Sequence, residues 1–358
     1  MTHGLIAGPF PCRSRTLVGM SIVIASFDES DQAAIDAAFQ VAAAAQAVDL
    51  PDFPELSRQQ FEGGIRHPMP GKTHLTALAT LDDVPVGYLN LYLSHVENVD
   101  NAGVDLVVHP AHRRRGVGRA LYQHAVRVLR EHGRKRIIAA SVGPLPEGPE
   151  RPAVGARFAA ALGAQPALGE VRRRLVVDRL DHAALGALLA DARERATGYR
   201  TITWQAETPE AYVADVGYLD SRLVLDSPTG DLVIEPDHVD ADRVRGIERA
   251  LAARGRAPYH CGVVHEESGR LVAWTMIIVL PSIPRHADQQ ITIVDPEHRG
   301  RRLGLLAKIE NLRYVLAHEP ELREIDTWNA ADNRHMIAIN EQLGFRPVDA
   351  WTNWQLDL

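Results

Sequence analysis

The sequence predicts an α+β protein built from two tandem copies of one domain, each a mixed central sheet flanked by helices. Three observations predict it. A loop of arginines and glycines occurs twice, as HRRRGVGRAL at 112–121 and HRGRRLGLLA at 298–307. Each loop joins a β-branched stretch, stopped by Pro110 or Pro296, to a helix-forming stretch. The elements around the two loops come in the same order, and the repeat is far too long for a solenoid.

In the first half, SIVIASFD reads as a strand. SDQAAIDAAFQVAAAAQAVD reads as a helix with Ser30 or Asp31 as N-cap. FPELSRQQFEGGIRH is a second helix. HLTALATLDDVPVGYLNLYLS is a hairpin turning at Asp82-Asp83, and GVDLVVHP is the strand before the loop. In the helix after it, Leu121, Ala125, Val128 and Leu129 recur at helical spacing, and Gly133 closes it. RIIAASV, PAVGARFAAALGA and VRRRLVVD follow as strand, helix and last strand, with the arginines of 171–175 read as charge on the strand's surface.

The second half replays this order. TPEAYVADVGYLDSRL and DADRVRGIERALAARG are helices, and HCGVVHEESGRLVAWTMIIVL is a hairpin turning at Ser268-Gly269. The strand QQITIVDP leads into the second loop and the helix LLAKIENLRYVLAHEP. EIDTWNA, NRHMIAINEQLGF and WTNWQLDL close the chain as strand, helix and strand. The expected division is a disordered leader over 1–19, a first domain over 20–180, a linker helix over 181–207 and a second domain over 208–358.

Composition narrows the function. At 358 residues, 46% hydrophobic and 24% charged, the chain is an ordinary globular one with room for two cores. Two cysteines make no disulfide framework, and no Cys/His spacing suggests zinc, which fits a reducing cytoplasm and no metal. No apolar run is long enough to span a membrane. The net charge of −7 argues against a nucleic-acid binder, which would usually be basic. The lone histidines His109, His112, His286 and His298 read as surface residues.

Three readings of the loop stand side by side: a solvated helix start, a nucleic-acid patch and a phosphate cradle. Helix N-termini leave N–H groups unpaired and carry partial positive charge, so they bind anions readily. Gly116 and Gly118 let the backbone approach an anion closely, and Arg113 and Arg115 suit a diphosphate. No aromatic stacking platform accompanies the arginines, which weakens the nucleic-acid reading. The spacing is neither G-x-G-x-x-G nor G-x-x-x-x-G-K-[ST], so a dinucleotide fold and nucleotide hydrolysis are both disfavoured.

VVHPAHRRRGVGRAL resembles the acyl-CoA motif of the GNAT superfamily of N-acetyltransferases, [RQ]-x-x-G-x-[GA] after a strand ending V-x-P. TIVDPEHRGRRLGLLAK resembles a second copy, and NRHMIAINEQLGF resembles the family's next segment, N-x-x-A-x-x-x-Y-x-x-x-G-F. The resemblance implies two tandem GNAT-like domains and acetyl-CoA as cosubstrate. It implies cofactor contacts at Arg113, Arg114, Arg115, Gly116, Val117, Gly118 and Arg119, and at Arg299, Gly300, Arg301, Arg302, Leu303 and Gly304. Pantetheine would run along Val107 and Val108 in one copy and Ile293 and Val294 in the other, with Asn333 nearby. An amine would attack the thioester directly in a ternary complex.

Two departures matter. Arg302 stands where the second loop should have its first glycine, and Asn340 stands at the tyrosine that usually protonates the leaving thiolate. Neither copy shows the usual acid. Asp105 and Asp288, on or beside the strand before each loop, are candidate bases, with solvated aspartates as the plain alternative. Trp328 and Asn329 are candidate borders of an acceptor pocket, with core packing the alternative for Trp328. Asn329, Asn333 and Asn340 could orient an amine or cap element ends. The expected function is N-acetyl transfer to a small-molecule primary amine by a cytoplasmic monomer or homodimer, without nucleic acid or membrane. The alternatives are a decayed acyl-CoA-binding regulatory or scaffolding protein and a nucleic-acid binder. The second copy, whose closing segment is whole, is expected to do the chemistry.

Overall fold

The computed structural model describes residues 21–358 and, in backbone only, Cys12–Arg13. The rest of the expected leader, residues 1–19, lies outside the described residues. The chain forms two compact units, one reaching Ala139 and taking in Leu356–Leu358, the other spanning Ala140–Gln355.

The first unit contains β1 (Cys12–Arg13), β2 (Ile22–Phe27), α1 (Gln32–Asp49), α2 (Arg58–Arg66), β3 (Lys72–Leu81), β4 (Val84–Ser94), β5 (Asn101–Val108) and α3 (Val117–Glu131). It ends in the first half of β6 (Arg136–Gly143). Neighbours from β1 to β5 pair antiparallel, and β5 pairs parallel with β6 over Asn101–Gly103 and Arg136–Ile138. Asp31 caps α1 by accepting from the Ala34 N–H at 3.0 Å. The β3–β4 turn needs two left-handed residues, and Asp82 (φ 51°) and Asp83 (φ 65°) supply them. Leu121, Ala125 and Leu129 of α3 are wholly buried against Leu89, Leu91 and Leu93 of β4. Val128, expected with them, is partly buried at the edge of that core.

The second unit holds α4 (Val154–Ala161), β7 (Gln165–Val176), α5 (His182–Arg195), β8 (Tyr199–Gln205), α6 (Val213–Ser221), α7 (Leu223–Asp226), α8 (Ala241–Ala253), β9 (Ala257–His265) and β10 (Leu271–Val279). β11 (His286–Val294), α9 (Leu303–His318), β12 (Glu324–Ala330), α10 (Arg334–Gln342) and β13 (Arg346–Asp357) complete it. Its strand order is β13-β7-β12-β11-β10-β9-β8, with β11 and β12 the parallel pair. Helix α9 covers one face with Leu305, Leu306, Ile309 and Leu312, while α6 and α8 cover the other with Val216, Leu219 and Val244. The segment 181–207, expected as one linking helix, is α5 followed by β8, the first strand of the second copy.

Strand β7, read from sequence as the last strand of the first copy, pairs antiparallel with both β12 and β13 of the second unit. Its arginines are therefore not surface charge. Arg172 is wholly buried, donating to Asp349 at 2.6 and 3.0 Å and to Asp326 at 2.8 Å. Arg174 donates to Asp326 at 2.7 and 2.8 Å, and Arg151 to Asp349 at 2.8 and 2.9 Å. His286 is buried, not superficial, and its Nε2–H reaches Asp326 at 3.1 Å. Burial alone would raise the Asp326 carboxyl, but these donors and the two guanidinium charges hold it well below the usual range.

Candidate active site

Both loops have the same architecture. After β5, Pro110–His112 makes one tight turn, and the Arg113 Nε–H donates to the Val108 carbonyl at 3.2 Å. After β11, Pro296–His298 makes the same turn, and the Arg299 Nε–H donates to the Val294 carbonyl at 3.1 Å. Both arginines then turn to a carboxylate, Arg113 to Asp49 at 2.7 and 2.8 Å and Arg299 to Asp226 at 2.9 Å. They brace the loop rather than project from it.

Each loop also needs two left-handed residues. The first uses Arg114 (φ 67°) and Gly116 (φ 88°); the second uses Gly300 (φ 82°) and Arg302 (φ 56°). Arg302 thus adopts the conformation its glycine counterpart has, at a cost of about 1–2 kcal/mol. Neither α3 nor α9 has a side chain capping its first turn. The N–H groups of Val117, Gly118 and Arg119, and of Leu303, Gly304 and Leu305, head helices whose first turns have no intrahelical partners. A Cβ at Gly304 would meet Val294 at 3.4 Å, an ordinary contact. Arg114, Arg115 and Arg119 are exposed around the first helix start. In the second loop Arg302 pairs with Asp191 and Arg301 lies 5.8 Å from the Tyr199 ring centroid.

In the second unit the parallel strands part soon after the sheet begins. β11 and β12 pair only over His286–Asp288 and Glu324–Asp326. Beyond that, β11 carries Gln290 to Val294 with no pairing to β12, so the strand's backbone there is open on that edge. Gln289 marks the parting. Its Nε2 donates to the Thr275 Oγ1 at 3.1 Å and to the carbonyls of Met276 at 2.9 Å and Ile291 at 3.2 Å. These bonds fix an irregularity in the β10–β11 register between Thr275 and Ile277. Sequence reading missed Gln289, which stands in a polar run, Asp288-Gln289-Gln290, at the start of the β-branched stretch and carries no local mark that singles it out.

A cavity of about 450 Å³ opens at this parting, lined by β11 and β12 and by α6, α8 and α9. Trp328, Asn329 and Asn333 all line it. Trp328 also packs edge-on against Trp351 at 6.1 Å. Asn333 caps α10, accepting from the Met336 N–H at 3.2 Å, so its pocket and capping roles coincide. Asn340 is wholly buried behind the wall, and its Nδ2 donates to the Asn329 Oδ1 at 2.7 Å. Its link to the cavity is this bond to Asn329. The Asn340 Oδ1 has no hydrogen-bond partner among the described residues.

The expected carboxylates lie elsewhere. Asp288 is on the paired part of β11, facing Arg256 at 3.4 Å, and does not line the cavity. Asp105 is on β5 of the first unit, exposed, and accepts a close hydrogen bond from Tyr92. Val107 and Val108 are half-buried on the same strand, while Ile293 is buried and Val294 half-buried on β11. His260, on the cavity wall, was not anticipated. The Trp274 Nε1–H donates to its Nδ1 at 3.1 Å and Trp204 stacks on it at 4.9 Å. Burial pushes its pKa down to about 3, so it is neutral at neutral pH, with a low affinity for a proton and its Nδ1 lone pair already held by Trp274. Among the described residues no cluster of His, Cys, Asp or Glu could hold a metal, and no helix is long and apolar enough to cross a membrane.

The sequence model of the Acetyltransferase (GNAT) family matches residues 40–144. The mycothiol acetyltransferase of Salinispora tropica is 26% identical over 313 residues, 82% of this chain and 84% of that one. That of Salinispora arenicola is 27% identical over 312 residues, 81% and 84% of the two chains. A GCN5-related N-acetyltransferase from Sphaerobacter thermophilus shares the fold at a TM-score of 0.65 and 14% identity, covering 94% of this chain and 95% of that one. A tandem GNAT protein from the clavulanic acid biosynthesis pathway superposes at a TM-score of 0.80 with 33% identity, covering 94% of this chain and 98% of that one. With the duplicated loops, the parted strands and this likeness along nearly its whole length, the chain belongs to the tandem GNAT acetyltransferases.

Proposed function

We propose that this acetyltransferase moves acetyl from acetyl-CoA to the primary amine of a small molecule, in the second unit, by direct attack in a ternary complex. The observation that carries the reading is the cavity at the parting of β11 and β12, in the same unit as an uncapped, arginine-ringed helix start. The N–H groups of Leu303, Gly304 and Leu305 would take the pyrophosphate, and the free edge of β11 at Ile293 and Val294 would take the pantetheine. The acetyl group would then meet the amine in the cavity. Its walls are largely apolar, with Val216, Ile247, Leu251, Trp274 and Met276 among them, which suits a compact acceptor with an apolar body.

In this reading Asn340 holds the Asn329 carbonyl, which leaves the Asn329 amide N–H groups to orient the thioester or the amine. The first unit binds a second acetyl-CoA on its own loop, at least as tightly, and takes no part in turnover. Release of free CoA thiol from acetyl-CoA, measured against a panel of primary amines, tests the proposal. Acceptor-dependent release is expected. Tight acetyl-CoA binding with no release for any amine would favour the alternative, a regulatory acyl-CoA-binding protein.

A further inference from the structure

Loss of the family's tyrosine leaves the departing thiolate without a proton donor on α10. The facing helix supplies a cation. Lys308 lies one turn into α9, is 2% exposed and lines the cavity. Its ammonium sits 5.5 Å from the ring centroid of Phe345, and the Phe345 N–H donates to the Asn340 carbonyl at 3.0 Å. The side chain therefore packs on the ring that closes the C-terminal end of α10, the helix that carries the asparagine standing in for the tyrosine. No carboxylate pairs with it among the described residues. A long cation aimed into a largely apolar cavity, with only a ring face for company, has no structural use that an apolar side chain would not serve better.

We propose that Lys308 is the proton donor to the sulfur of coenzyme A, a role that rests on the acetyl-transfer reading above. The neutral amine forms the C–N bond to the acetyl carbon. The C–S bond breaks with its electron pair going to sulfur, and Lys308 passes one ammonium proton to that sulfur. The new amide nitrogen sheds its extra proton, which returns to the Lys308 amine directly or through water, so lysine ends as it began. Burial brings the Lys308 pKa down to about 7, where an ammonium gives up its proton readily.

The other ionisable groups on the cavity wall leave this role open. Glu248 is tied to Arg245 at 2.8 Å and to the Thr208 N–H at 2.7 Å. Glu170 accepts from Asn353 at 2.7 Å, and His260 stays neutral. Asp220 on α6, raised to about 6 by burial and by Asp237, is the remaining wall carboxyl. On α9 itself Glu310 pairs with Arg193, and on β11 Asp288 pairs with Arg256.

The chain has only three lysines, Lys72, Lys135 and Lys308, so protein labelled with ¹³C at the lysine ε-carbon gives three signals. The variants Lys72→Arg and Lys135→Arg assign two of them, which identifies the third without touching Lys308. Titrations are run with no ligand, with CoA and with desulfo-CoA, which lacks only the sulfur. CoA should lower the Lys308 midpoint relative to desulfo-CoA by about half a pH unit or more, because the thiol keeps its proton while Lys308 titrates and its S–H, set against the lysine nitrogen, favours the neutral amine. Equal midpoints with the two ligands would overturn the proposal. So would Lys308→Met turning over, on an acceptor found in the amine panel, within threefold of wild type with the same pH profile. The expected result there is a kcat loss of at least a hundredfold, an unchanged acetyl-CoA Kd and loss of the wild-type fall in kcat above neutral pH. If CoA itself fails to bind, the acetyl-transfer reading falls first and takes this one with it.

Discussion

The two arginine-glycine loops solve one geometric problem in opposite ways. Each needs two residues at positive φ. The first loop puts arginine first and glycine second, Arg114 then Gly116; the second puts glycine first and arginine second, Gly300 then Arg302. A glycine-counting motif therefore ranks the second loop as damaged, although its backbone takes the same turn. The units differ more deeply in what lies beneath. The first is held together by aliphatic packing of α3 on β4. The second carries a buried ionic cluster, with Arg151, Arg172 and Arg174 from one part of the chain on Asp326 and Asp349 from another. It also has the described cavity. The two halves share a frame, and the differences between them lie in what is built on it.

The largest expected effect tests the ionic difference. Arg172→Ala would leave Asp349 to Arg151 and Asp326 to Arg174 and His286, remove the guanidinium that joins the two carboxylates and strip β7 of its anchor, which should cost about 3 kcal/mol. Hydrogen exchange should show protection lost on β7, β12 and β13, with α3 and β4 close to wild type. Equal loss in both units would mean that they unfold together. Because the Asp326 pKa lies below its unfolded value, its contribution is present above the ordinary carboxylate range. It is lost only as pH falls below that range, so Asp326→Asn should flatten the acid limb of the stability profile.

The next effect separates the two loops. A side chain and a negative charge at either helix start should oppose an anion by clash and repulsion. Gly304→Glu should lower turnover by a hundredfold or more. Gly118→Glu should remove one acetyl-CoA binding event in calorimetry while leaving turnover within a few fold. If Gly118→Glu leaves the binding isotherm unchanged, the first loop holds no acetyl-CoA. If it abolishes turnover, the chemistry belongs to the first unit.

A smaller effect tests the cavity. Asn340→Ala frees the Asn329 carbonyl and should lower kcat by more than tenfold with little change in KM, since orientation and not binding is lost. Asp105→Ala, in the first unit, should leave kcat nearly unchanged. The reverse pattern would move the active site.

Most of the frame was legible in the residues. Hydrophobic period, Asp82-Asp83, the prolines after β5 and β11, and the Asn333 cap each act within a few residues, and each element they signal is present. Residue pairs distant in sequence were not legible. Nothing local in VRRRL says that Arg172 will meet Asp326 and Asp349, so the run read as surface charge; only the seating of β7 between β12 and β13 brings the partners together. Asp288 was read by its place before the loop, but alternation along β11 points it at Arg256. Lys308 was visible only as one of three lysines, because its burial depends on strands parting above it.

The smallest effect returns to the loops. Replacing a left-handed arginine by glycine removes about 1–2 kcal/mol of backbone strain but gives back roughly 0.5–1 kcal/mol of chain entropy. Arg114 has no ion pair among the described residues, so Arg114→Gly should stabilise the chain by roughly 0.5 kcal/mol. Arg302 pairs with Asp191 at the surface, a contact worth about 0–1 kcal/mol, so Arg302→Gly should gain less or nothing. Thermal denaturation of the two variants, side by side at low and high salt, measures the difference. High salt should close it by screening the Asp191 pair. An Arg302→Gly variant clearly less stable than wild type at high salt would mean that the side chain, and not the charge, holds the second loop in its turn.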